Sequence, residues 1–154
     1  MNAEEEQAKE VVLRLLARRE HSSHELKQKL RQRGFTDTVS DAVLRLAQAN
    51  NWQSDERFTD TWLRHSLAKG DGLQKIKAAA QNKGLAPELV DESLQRLDPD
   101  WNELCYQRLL KKFGQEPPRE PKNRDRMMRH LLQRGFSYSE IKQALNWQAE
   151  AATD

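Results

Sequence analysis

Between Cys105 and Gly135 the chain carries nine cations, among them Arg108, Lys111, Lys112, Arg119 and Lys122, against three acids, a local balance of +6. An earlier stretch, Arg14 to Gly34, sets seven cations against Glu20 and Glu25, a balance of +5. From Phe35 to Trp62 the sign reverses, with five acids facing Arg45 and Arg57, a balance of −3. The 154 residues together sum to +2, so the net charge conceals two basic zones and an acidic one. Cations clustered on helices attract phosphate backbones by Coulomb forces and by release of condensed counterions. Binding of nucleic acid is the chemistry they could do; the plainer alternative is a solvated surface.

Catalytic chemistry is harder to build from these residues. His21 and His24 stand three apart, but a closed zinc site wants four ligands, and neither a cysteine nor an acid cluster lies near them to complete it. His65 and His130 each stand alone on an expected helix. Cys105 is the single cysteine, which rules out an internal disulfide and suits a reducing compartment. It shares an apolar face with Trp101 and Leu104 and reads as packing, not as a nucleophile. No Walker loop, GxSxG or dinucleotide fingerprint occurs, and Gly70-Asp71-Gly72 reads as a helix boundary. A protein without catalytic activity, metal or cofactor is expected.

The elements that carry the cations read as helices throughout. Three turns repeat: Gln32-Arg33-Gly34-Phe35, Asn82-Lys83-Gly84-Leu85 and Gln133-Arg134-Gly135-Phe136. Each glycine stands where a helix C-terminus wants a left-handed residue, and the preceding cation suits the negative end of the dipole. Around each turn the apolar positions also repeat: Leu26, Ile76 and Met127; Leu30, Ala80 and Leu131; Leu44, Leu94 and Leu145. Such recurrence is the signature of an internal repeat. Ser22-x-x-Glu25 and Ser137-x-x-Glu140 are capping boxes, Ser54-Asp55 can cap a helix, and Asp98-Pro99 is expected to cap and open another. Gly70 and Gly72 end the helix that carries Phe58, Trp62 and Leu63, and Gly114 to Pro121 reads as a linker. Seven Val and Ile residues, none in alternating runs, cannot support a sheet. With 36% hydrophobic and 32% charged residues the core must be thin. The expectation is an all-α, elongated array of three tandem three-helix modules at residues 1–51, 52–98 and 99–154, in a right-handed or similar helical-repeat arrangement. The acidic start lacks the apolar segment of a signal peptide, and no apolar run approaches the length of a membrane span, so a cytoplasmic monomer is expected.

The residues then carry a family resemblance. Asp55-Glu56-Arg57-Phe58, Lys69-Gly70-Asp71-Gly72 with Ile76, and Asn82-Lys83-Gly84-Leu85 resemble the central signature of the RecX family. His21-Ser22-Ser23-x-Glu25-Leu26 with Lys29-Leu30 is similar to its first-module pattern, and Leu131-Leu132-Gln133-Arg134-Gly135-Phe136 to its last. The resemblance runs from about Val11 to Trp147. It implies an array of three-helix modules that binds the filament of the RecA recombinase on single-stranded DNA, in its helical groove, and limits ATP hydrolysis and strand exchange. Many members carry arginine where this chain has Ser66, which moves any such contact to Arg64 or Lys69. The cations expected to meet protein or DNA are Arg31 and Arg33 in the first zone, and Arg57, Arg64, Lys69, Lys75, Lys77 and Lys83 around the centre. In the last zone they are Arg124, Arg126, Arg129 and Arg134. Gly34, Gly70, Gly72, Gly84 and Gly135 are structural turns. Two alternatives stay open. One is a helix-turn-helix DNA binder, whose second helices should be basic but here are acidic. The other is a repeat adaptor that binds only protein.

Overall fold

Helices begin in this chain where a short polar side chain can take one of the orphan N–H groups of a first turn. In the computed structural model, which describes residues 1–153, Asn2 accepts from the Glu5 N–H at 2.8 Å and opens α1 (Ala3–Arg18). Ser22 and Thr36 do the same for α2 (Ser23–Gln32) and α3 (Asp37–Ala49), accepting from Glu25 and Val39. Ser54 accepts from the Arg57 N–H at the start of α4 (Asp55–Ala68). Then follow α5 (Leu73–Asn82), α6 (Pro87–Leu97), α7 (Trp101–Phe113), α8 (Pro121–Gln133) and α9 (Tyr138–Thr153). The described residues contain no strand.

Two of the expected caps are corrected. Asp98 takes φ of 45° and lies outside the helix; the cap of α7 is Asp100, which accepts from the Glu103 N–H at 3.1 Å. Pro99 precedes that cap and does not open the helix, because the left-handed Asp98 turns the chain there and α7 begins only at Trp101. The two capping boxes also differ. At α9 both halves form, Ser137 Oγ to the Glu140 N–H and Glu140 Oε1 to the Ser137 N–H. At α2 only the serine half forms, since both Glu25 oxygens accept from the Arg19 guanidinium, at 3.1 and 2.7 Å.

All three repeated glycines have positive φ, 90° at Gly34, 69° at Gly84 and 94° at Gly135. Each closes its helix with the same pair of bonds. Phe35, Leu85 and Phe136 donate to the carbonyls of Leu30, Ala80 and Leu131, while the glycines donate to Arg31, Gln81 and Leu132. This Schellman closure satisfies carbonyls that the helix leaves orphaned and turns the next apolar residue back onto it. Leu85 and Phe136 are buried, and Phe35 packs half-buried against the first core. Of the nine repeated apolar positions eight are buried; Leu94 is half-buried.

The chain divides into two compact units: residues 1–62 with 80–93, and residues 63–79 with those from 94 onward. The first is built on Ala8 and Val12 of α1, Leu26 and Leu30 of α2, and Val43 and Ala47 of α3. The second is built on Cys105 and Leu109 of α7, Leu131 of α8, Phe136, and Ile141 and Ala144 of α9. The middle helices contribute to both units, with α4 changing membership after Trp62 and α5 after Ala79.

Candidate functional site

In the second unit one carboxylate organises the cations around it. Asp71 follows the Gly70 turn that ends α4, and its side chain is only 6% exposed. Arg134 Nη2 donates to it at 2.9 Å and to the Lys69 carbonyl at 3.1 Å, while Lys69 and Lys75 each bring Nζ to 3.4 Å. The backbone reinforces the link: the Gly72 and Gln74 N–H groups donate to the carbonyls of Arg134 and Gly135, at 2.7 and 3.0 Å. A Cβ built on Gly72 would lie 2.5 Å from the Gly135 carbonyl carbon, so glycine is required there for close approach, not for its φ. Lys69, Lys75 and Arg134, expected as contact residues, are thus brought together on one buried acid.

Beside this hub lies a groove of about 540 Å³ between α7 and α8, lined by Lys112, Phe113, Arg126, Arg129, His130 and Gln133. Among the described residues no carboxylate lines it. Arg126 stands over the Phe113 ring at 5.9 Å, and His130 meets the same ring edge-on at 5.5 Å. His130 Nε2 accepts from Arg108 Nε at 3.3 Å, which leaves the neutral imidazole with its proton on Nδ1. Burial lowers the affinity of His130 for a second proton, and the nearby charges of Arg108, Lys112 and Arg134 lower it further. Arg108 in turn lies against the Gly70 turn, its Cδ 3.3 Å from where a Cβ would stand. Such a groove suits a polyanion: three cations beside a half-buried aromatic ring, without a lining acid among the described residues to neutralise them.

The first unit treats its basic zone differently. Arg31 forms a two-pronged pair with Asp37, at 2.8 and 3.0 Å, and Lys27 reaches Asp41 at 2.9 Å, so the acids of α3 fold back onto the cations of α2. The Arg31 hydrogen bond holds the Asp37 carboxyl below its ordinary range. Arg57 is held between Glu20, at 3.0 Å, and the carbonyls of Asn51 and Trp52. Lys83 lies over the rings of Phe58 and Trp62, at 5.9 and 5.8 Å. Arg33, Arg64, Lys77 and Arg124 are exposed on or beside α2, α4, α5 and α8. Ser66 is buried, and its carbonyl accepts from the Asp71 N–H at 3.1 Å.

The remaining candidates for chemistry are engaged in the fold. His21 is buried, with Nδ1 donating to the Arg19 carbonyl at 3.0 Å and Nε2 accepting from Lys29 at 3.3 Å. Burial lowers its pKa. Cys105 is fully buried, and its thiol is pushed up to about 12 by desolvation and by Glu140. Sequence reasoning did not single out Lys112, Phe113, Arg108 or His130 as parts of one site. Lys112 stood inside the counted basic zone, but nothing local in the sequence indicates that α7 lies alongside α8.

Three family models match the chain, those of the first, second and third three-helix domains of RecX, over residues 8–45, 54–94 and 98–145. A curated relative from Mannheimia succiniciproducens, named regulatory protein RecX, is 40% identical over 79% of this chain and 81% of its own length. The chain belongs to the RecX family. Another relative, from Chromohalobacter salexigens and also named regulatory protein RecX, is 33% identical over 94% of this chain and 95% of its own. The fold is similar to two crystal structures. That of a regulatory protein RecX gives a TM-score of 0.81 at 18% identity, covering 93% of this chain and 73% of the other. That of RecX from Lactobacillus salivarius gives 0.78 at 17%, covering 95% and 97%. The expected all-helical fold of three tandem three-helix domains therefore stands. Among the described residues no helix is long and apolar enough to cross a membrane.

Proposed function

We propose that this RecX-family chain is a cytoplasmic, non-catalytic regulator of the RecA recombinase. It binds the filament that RecA forms on single-stranded DNA and limits ATP hydrolysis and strand exchange. Its modules, at residues 1–51, 52–98 and 99–154, would engage as a monomer. The observation that carries a DNA contact is the α7–α8 groove, where Lys112, Arg126 and Arg129 converge with no lining carboxylate among the described residues. A phosphate backbone in the groove would meet these cations, with Arg124 on the same helix extending the track. Lys69, Lys75 and Arg134 act one step back, holding the α5 start against the turn that follows α8. The non-catalytic reading is supported by the engagement of both His21 ring nitrogens and by the raised pKa of the buried Cys105 thiol.

A helix-turn-helix reading fares worse, because the acids Asp37 and Asp41 at the start of α3 are tied to Arg31 and Lys27 of α2. The test is ATP hydrolysis by RecA on single-stranded DNA, with and without the protein and across a salt series. Inhibition that weakens steeply with salt is expected. Unchanged hydrolysis at saturating protein would sink the proposal, and salt-insensitive inhibition would leave a protein-only adaptor.

A further inference from the structure

The two internal glycine turns do more than end helices, since each docks onto the beginning of a helix in the preceding module. In the first unit the Gly84 turn sits on the start of α2, where an added Cβ would lie 2.7 Å from His24 Cγ. In the second the Gly135 turn sits on the start of α5, where an added Cβ would lie 2.5 Å from the Lys75 nitrogen. The receiving residues occupy adjacent places in the repeat: His24 stands ten residues before Gly34, and Lys75 nine before Gly84. The turn of one module therefore rests on the first helix of the previous pair, twice in succession. The Gly34 turn of the first module makes no such contact. It has the same Schellman bonds and positive φ as the others, yet a Cβ added at Gly34 meets nothing within 4 Å. Gln32, Arg33 and Gly34 are all exposed.

We infer that the Gly34 turn is a docking surface for a partner protein, and that it receives a helix start preceded by an acidic residue. The template is the Gly135 joint. There the carbonyls of Arg134 and Gly135 accept two N–H groups from the start of α5, and the Arg134 guanidinium takes the carboxylate of Asp71 just before that helix. Arg33 and Gly34 are the equivalents in the first turn. A second copy of the chain is a poor occupant on charge. The remaining helix start of the series is that of α8, where Glu120 precedes the helix, but Lys122 stands at the repeat position of Asp71, and Lys122, Arg124 and Arg126 outnumber the acids Glu120 and Asp125. These cations would oppose Arg33. A carboxylate on a different protein would instead complete the pairing that Asp71 makes internally. This inference rests on the proposed binding to the RecA filament, and the occupant is an acidic helix start on that protein.

The test uses the full chain with two variants. Gly34→Asn keeps a residue that tolerates positive φ and fits the open space, but its side chain would obstruct docking. Arg33→Glu reverses the pairing charge without touching the core. Affinity for the RecA filament is read by anisotropy, self-association by sedimentation velocity, and folding by thermal melting. Each variant should weaken filament binding by about tenfold or more with little change in melting temperature. Gly34→Asn should leave the salt dependence of the remaining binding unchanged. Both variants binding as tightly as the unaltered chain would overturn the inference. So would a loss by Gly34→Asn that removes a phosphate contact from the salt slope, or self-association abolished by Arg33→Glu. Should Gly34→Asn melt early, Arg33→Glu alone decides. Failure of the unaltered chain to bind the filament would instead refute the functional proposal.

Discussion

Two basic surfaces of nearly equal charge in the sequence meet opposite fates in the fold. On α2, Lys27 and Arg31 are faced by Asp41 and Asp37 of α3, and both members of the Arg31–Asp37 pair are 55% exposed. On α7 and α8, Lys112, Arg126 and Arg129 line a groove without an acid among the described residues, while the nearby carboxylate, Asp71, is buried on the hub beside it. Ion pairs at a wet surface are screened and contribute little, whereas a buried carboxylate that loses its partners leaves charges unsatisfied. What separates the two surfaces is where the acids sit, not how many cations each holds.

The largest effect expected from this contrast is on stability at Asp71. Replacing Asp71 by Asn removes the charge but keeps the shape, and should destabilise the chain by about 3 kcal/mol in chemical denaturation. An unchanged denaturation midpoint would mean that Lys69, Lys75 and Arg134 are not latched by this acid.

Next comes the groove. Changing Arg126 and Arg129 together to Glu should weaken inhibition of RecA and lower the magnitude of the salt slope by about 1.4, since each phosphate left without its cation accounts for about 0.7. The matched pair on the other surface, Lys27 and Arg31 to Glu, should leave the slope close to that of the unaltered chain. Equal reductions from both pairs would erase the distinction.

Acidification should have a moderate effect. His21 and His130 both bind a proton less readily in the fold than in the unfolded chain, because burial disfavours the imidazolium. Their stabilising contribution is therefore present above about 6.5, the ordinary histidine value, and declines as pH falls below it. Melting temperatures between pH 7.5 and 5 should fall, and His130→Gln should flatten part of that decline. A melting temperature that rises on acidification would reverse the sign and refute the assignment. The smallest change is expected from Asp37→Asn, which frees Arg31 at an exposed site. It should hardly move the melting temperature, and it should strengthen binding to single-stranded DNA only slightly.

The sequence carried the repeat with little ambiguity. A left-handed glycine after a helix, a cation before it and an apolar residue behind it is a local device, and Gly34, Gly84 and Gly135 each adopt it. Helix starts were legible wherever a serine or threonine cap stood alone. The choice between Asp98 and Asp100 was harder, because two candidate caps flank Pro99 and only the path of the chain selects one. The groove was half legible: Lys112, Arg126 and Arg129 all stood in the counted basic zone, and His130 shares α8 with the two arginines, but Lys112 and Phe113 join them only because α7 lies beside α8.

The sequence by itself determined an all-helical chain of three related trios, because capping, turn closure and apolar period act over a few residues. Which cations stay available was decided by tertiary structure alone. Charge balance along a chain is a one-dimensional count, while neutralisation requires a carboxylate within a few ångströms in space. Asp37 and Asp41 acquire that proximity when α3 folds onto α2, and Asp71 acquires it when the Gly135 turn docks on α5. The residues that repeat in sequence thus build the modules, and the way a turn rests on a helix start of the preceding module sets which charges are neutralised.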